Sequence, residues 1–87
     1  MDIKNKVVIV TGASSGIGKA VAELFSRKGA KLVLAARSKD KLTKLSKQLP
    51  HSLPIVADMT KEKDIKNMVK KAKDHFGRVD VLINNAG

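Results

Sequence analysis

The sequence contains no cysteine, tryptophan or tyrosine, and two phenylalanines are its only aromatic residues. Without cysteine there is no disulfide framework, no thiolate metal site and no cysteine nucleophile. Without tyrosine the chain has no phenol with which to move a proton. No apolar run approaches the roughly 20 residues that a membrane span needs. Residues 1–6 carry charge of both signs and lead directly into an apolar run with no small-residue cleavage site, so they do not read as a secretory signal. A cytoplasmic location without membrane contact is the expectation.

Acidic residues are also few: 8 Asp and Glu stand against 18 Lys and Arg, for a net charge of +10. That balance favours polyanionic partners, from nucleic acid to phosphorylated small molecules. Most of the lysines fall on expected helix surfaces, where a solvated lysine is ordinary. With two phenylalanines as the only aromatics and no nucleic-acid motif, specific nucleic-acid binding is not expected. Basic charge alone supplies only nonspecific, salt-sensitive affinity. The two histidines, His51 in a loop and His75 near a helix end, have no partner at metal-ligand spacing. The 87 residues allow one small domain.

Short β-rich runs alternate with helical patterns. Residues 6–11 (KVVIVT) form a β-branched run suited to a buried parallel strand. Ile17, Ala20, Val21, Leu24 and Phe25 then lie on one helical face, which Gly29 closes. Residues 31–36 (KLVLAA) read as a second strand, followed by a helix with Ser38 as its cap, Leu42, Leu45 and Leu49 as its stripe and Pro50 at its end. Residues 53–57 (LPIVA) read as a third strand. Thr60 is expected to cap a third helix bearing Ile65, Met68, Val69, Ala72 and Phe76, with Gly77 ending it, and residues 79–84 (VDVLIN) read as a fourth strand. This β-α-β-α-β-α-β order predicts a parallel α/β sheet with helices on both faces and strand order 3-2-1-4, half of a doubly wound fold. Such a fourth strand, strongly apolar, should be covered on both faces, and its outer edge is one that proteins normally protect.

Residues 11–18 (TGASSGIG) join the first strand to the first helix. Gly12 permits a tight turn, Gly16 lets backbone approach a pyrophosphate, and Gly18 allows close helix–sheet packing. The helix N-terminus favours an anion, and Ser14 and Ser15 add hydroxyls. The spacing lacks the Gly-Lys-Ser/Thr end of a P-loop, which disfavours a nucleoside triphosphatase. A ligand-free tight turn is the plainer alternative, but the preceding strand and the following helix supply the context a nucleotide site requires.

TGASSGIG at residues 11–18 and NNAG at residues 84–87, separated by three βα units, resemble the N-terminal half of a short-chain dehydrogenase/reductase over the whole chain. The resemblance implies one partial NAD(P)-binding domain of the Rossmann type across residues 1–87, with Gly12, Ser14, Ser15, Gly16, Ile17 and Gly18 around the cofactor. A dehydrogenase that prefers NAD places an acid at the end of the second strand, against the ribose 2′-hydroxyl. Here that strand ends in Ala36, Arg37 and Ser38, so a 2′-phosphate is met by a cation and a hydroxyl, and NADP(H) is favoured over NAD(H). Arg37 as a solvent-facing residue is the alternative.

The resemblance further implies that Asp58 accepts a hydrogen bond from the adenine amino group and that Met59 lies against the ring. Asp58 also suits a turn before the third helix. By the same resemblance Asn85, Ala86 and Gly87 neighbour the cofactor ribose, while Asn84 supports the sheet. Asp80 is read as structural. The family moves hydride with a tyrosine, a lysine four residues beyond it, a serine and a further asparagine, all downstream of NNAG. None of these is present here, so no catalytic residue is assigned and the chain alone is expected to be an inactive, truncated oxidoreductase portion. A different reading is a self-associating or partner-binding module with a vestigial nucleotide site. Its fourth-strand edge would then meet a second copy or a complementary C-terminal fragment.

Overall fold

Strand β1 (Val7–Thr11) is buried along its whole length, as expected of an inner parallel strand, which is covered on both faces. In the computed structural model, which describes residues 2–14 and 16–85, it lies between β2 (Lys31–Ala36) and β4 (Val81–Ile83), with β3 (Ser52–Val56) beyond β2. All pairings are parallel and the order is 3-2-1-4. Helices α1 (Gly16–Arg27), α2 (Lys39–Gln48) and α3 (Glu62–Phe76) make the crossovers. The doubly wound, Rossmann-like arrangement read from the sequence is the one observed.

Strand alternation divides the core in two. Val8 and Val10 pair in register with Leu32 and Leu34, and this face packs against Ala22 of α1 and Leu42 and Leu45 of α2. Val7, Ile9, Val33, Ala35 and Ile55 point the other way, onto Met68 and Ala72 of α3. Leu49, Val69 and Phe76 pack at the margins of these clusters as their helical spacing predicts. Ile65, assigned to the same face of α3, is exposed. So are Ile17, Ala20 and Leu24 of the face assigned to α1, which instead buries Gly18 and Ala22 with Val21 and Phe25 at the margin.

Three local expectations need correction. Thr60 does not cap α3: its hydroxyl donates to Asp58 Oδ1 at 2.7 Å, and Lys61 takes the cap position with no side-chain bond. Asp58 captures the hydroxyl first, because an Asx turn closes over two residues. Ser38 does occupy the cap position of α2 but makes no side-chain cap bond. The fourth strand is only Val81–Ile83, and Leu82 is 54% exposed, so it is not covered on both faces among the described residues.

Candidate functional site

Because every strand is parallel, all their carboxyl ends come to one edge of the sheet, where open α/β sheets hold ligands. Gly12 to Ser14 follow β1 there, Arg37 and Ser38 follow β2, Asp58 and Met59 follow β3, and Asn84 and Asn85 follow β4. Main-chain bonds knit this edge together. The Ala13 amide donates to the Ala35 carbonyl at 3.2 Å, and the Ala57 amide to the Ala36 carbonyl at 2.9 Å.

The two motifs, more than 60 residues apart, meet at Thr11 and Gly18. The Asn85 amide donates to Thr11 Oγ1 at 2.9 Å. The Thr11 hydroxyl faces both Asn84 Oδ1, at 3.1 Å, and the Ile83 carbonyl, at 3.3 Å. Gly18 is packed so closely that a Cβ built on it would overlap the Gly12 carbonyl oxygen and lie 2.7 Å from Asn85 Nδ2. Gly16 is the opposite case. Its φ of +56° lies in the left-handed region that favours glycine, and a Cβ there would meet no described atom within 4 Å. The backbone is thus open at the spot where a pyrophosphate would need to approach, and residues of this turn fit a dinucleotide.

Asp58 Oδ1 accepts from both the Thr60 hydroxyl, at 2.7 Å, and the Thr60 amide, at 2.9 Å. These bonds hold its carboxyl below the usual carboxylate range, opposed by burial and aided by the positive charges of Arg37 and Lys61. Asp58 is therefore an ionised acceptor at neutral pH. The Asp58 amide donates to Asp64 Oδ2 in the first turn of α3 at 2.8 Å, which fixes the loop from the far side. Arg37 is exposed, and Ser38, Asp58 and Asn85 are half-buried. Met59 packs partly against the α3-side core, so one face of it belongs to the interior. Ile17 is 73% exposed at the start of α1. Ser15, Ala86 and Gly87 lie outside the described residues.

Asp80, at the opposite end of β4, has the structural role read for it. Val7 N–H donates to Asp80 Oδ2 at 2.8 Å while Asp80 N–H donates to the Val7 carbonyl at 2.9 Å. Arg78 Nε donates to the other oxygen at 2.9 Å. The Arg78 bond, then the Val7 bond, lowers the Asp80 pKa against a smaller effect of burial, and the charges of Arg78 and Lys6 add to the lowering. A three-residue strand is thereby tied to β1 at both ends, by Asp80 at one and Thr11 at the other. No such role was read for Thr11 or Asp64. The available signal for Thr11 was a single hydroxyl closing an otherwise apolar, buried strand.

Comparison with known proteins agrees with this geometry. The profile of the short chain dehydrogenase family matches residues 6–87. An uncharacterized oxidoreductase of Staphylococcus saprophyticus is 47% identical over 88 residues, covering 99% of this chain and 36% of that protein. A short chain dehydrogenase from Bacillus anthracis superposes with a TM-score of 0.92 at 40% identity, over all of this chain and 37% of that one. A 3-ketoacyl-(acyl-carrier-protein) reductase from Brucella melitensis, complexed with NADH, superposes with a TM-score of 0.88 at 36% identity, over 92% of this chain and 33% of that one. The chain spans about a third of the length of the curated relatives it matches.

Proposed function

Since the chain belongs to the short-chain dehydrogenase family, we propose that it is the NADP(H)-binding portion of a cytoplasmic oxidoreductase. Gly12, Ser14, Ser15, Gly16, Ile17 and Gly18 would cradle the pyrophosphate, with Asn85, Ala86 and Gly87 beside the ribose. Asp58 would accept from the adenine amino group and Met59 would lie along the ring. When bound, the nicotinamide supplies hydride chemistry. This chain's own residues bind and orient the adenosine end, and no proton-transfer role is assigned to any of the described residues. The 87 residues contain no tyrosine, the family's acid/base, so turnover by this chain alone is not expected.

One observation carries the choice of phosphorylated cofactor. Arg37 stands exposed at the carboxyl end of β2, where an acid would otherwise meet the ribose hydroxyl. The NADH in the Brucella reductase supports a nicotinamide dinucleotide in general; the preference for the 2′-phosphate rests on Arg37 and Ser38. Calorimetric titration with NADPH and NADH tests it. A charge-assisted hydrogen bond contributes about 1.5–3 kcal/mol, so NADPH should bind about tenfold to a hundredfold more tightly. Arg37→Ala should remove the difference. Equal affinities in the parent chain would defeat the assignment.

A second reading follows from the edge of β4, which pairs on one side only among the described strands and leaves Leu82 exposed. A second copy, or a complementary C-terminal fragment, would complete the sheet there. Two-fold pairing of copies would be antiparallel. Light scattering across concentration separates these outcomes, and a monomer at high concentration removes the homodimer.

A further inference from the structure

Helices α1 and α2 lie side by side on one face of the sheet, and a groove of about 380 Å³ between them is lined by Ser14, Lys19, Lys41, Lys44, Leu45 and Gln48. Among the described residues no carboxylate lines it. Leu45, 3% exposed, forms an apolar floor on which lysine stems can rest while their ammonium groups stay at the mouth.

Two of these exposed lysines stand where a helix dipole disfavours a cation. Lys19 lies in the first turn of α1 and Lys41 in the first turn of α2. Cations there oppose the positive end of a helix dipole. α1 has no acid in its first turn to offset the charge. Acids stand at helical spacing from two of the three, Glu23 four residues after Lys19 and Asp40 four residues before Lys44. Neither pair closes, whereas the corresponding pairs on α3, Lys66 with Glu62 and Lys70 with Asp74, do. Among the described residues, Lys19, Lys41 and Lys44 make no ion pair. Three lysines, Ser14 and Gln48 therefore line one groove with no carboxylate paired to any of the lysines among the described residues.

We propose that this groove is an anion site for a compact phosphorylated molecule about the size of pyrophosphate, beside the dinucleotide turn and distinct from it. Arg37 and Ser38, to which the cofactor's 2′-phosphate is assigned, do not line it. Ser14 is common to both, so an anion in the groove sits next to the glycine turn and can sense or alter its occupancy.

Pyrophosphate is the probe, titrated into the ¹⁵N-labelled chain at about 0.15 M ionic strength, where screening reaches about 8 Å and suppresses long-range attraction. The amides of Lys19 and residues 41–48 should shift together and saturably. Lys41→Gln with Lys44→Gln should weaken that binding about tenfold, since each removes a charge adjacent to the anion. Lys66→Gln with Lys70→Gln, which leaves the same net charge, should change it less than about twofold, because those lysines are remote and screened. Equal weakening by both pairs would mean diffuse attraction and would overturn the proposal. So would the absence of saturable shifts, or shifts confined to residues 12–18 and Arg37, which would place the anion in the dinucleotide turn instead. Loss of the NADPH preference would leave the groove result standing, so the two assignments fail separately.

Discussion

Replacing Gly18 by alanine sets two physical effects of opposite sign against each other. Gly18 lies within α1, where alanine is favoured over glycine by about 0.8–1 kcal/mol. If only helix propensity mattered, the variant would be more stable. The structure predicts the reverse. The new methyl would overlap the Gly12 carbonyl oxygen and lie 2.8 Å from its carbon and 2.7 Å from Asn85 Nδ2. The first two are main-chain atoms of a turn held by the Ala13–Ala35 hydrogen bond, so they cannot swing aside as a flexible side chain would. Overpacking of this kind costs about 3 kcal/mol at the upper end of its common range. After the propensity gain, a net loss of about 2 kcal/mol remains. In a domain of this size that corresponds to a fall in Tm of about 8–16 °C. Circular dichroism is the suitable readout, because a chain without tryptophan or tyrosine offers little intrinsic fluorescence. Urea unfolding should show a lower midpoint with an unchanged slope. A Gly18→Ala chain as stable as the parent, or more so, would refute the close approach of α1 to the turn and to Asn85.

Thr11→Val keeps the shape of a buried side chain but leaves the Asn85 amide without its acceptor. It should cost about 1–3 kcal/mol and speed hydrogen exchange at Asn85, while Thr11→Ser should retain most of the stability. Met68→Ala opens a cavity at a fully buried position under β1 and β2, with an expected loss of about 2–5 kcal/mol in urea unfolding. Asp80 and Asp58 both have lowered pKa values. The stability they contribute is fully present above the ordinary carboxylate value of about 3.9 and is lost as pH falls through their lower folded values. Unfolding measured from pH 7 down to pH 2 should show that decline, and Asp80→Asn should flatten part of it. An undiminished decline in the variant would remove Asp80 as a contributor.

The order of elements was legible because each carries its own local signal. A β-branched run between a charged segment and a glycine turn is a buried strand, and apolar residues at helical spacing mark a helix. Ile17, Leu24 and Ile65 show that the spacing does not settle which of them the core covers. The candidate site was legible for the same reason. Its parts lie at the carboxyl ends of strands, and parallel topology alone brings such ends together. Thr60 was misassigned because its amide and its hydroxyl both donate to the Asp58 carboxylate, and α3 begins after Lys61 instead. Sequence alone does not say that this turn holds Thr60 one residue short of the cap position.

By itself, then, the sequence determined the alternation of strands and helices, their parallel order, the glycine turn, and the cation rather than acid that follows β2. These depend on periodicity and on chemistry between near neighbours. Tertiary structure decided which distant groups touch. It brought the Asn85 amide onto Thr11 Oγ1, the Asp80 carboxylate onto the Val7 amide, and the Asn85 side chain against Gly18. It also gathered lysines of α1 and α2 around one groove. Each of these contacts joins residues far apart along the chain, and their meeting depends on strand register and helix placement, which no local pattern encodes.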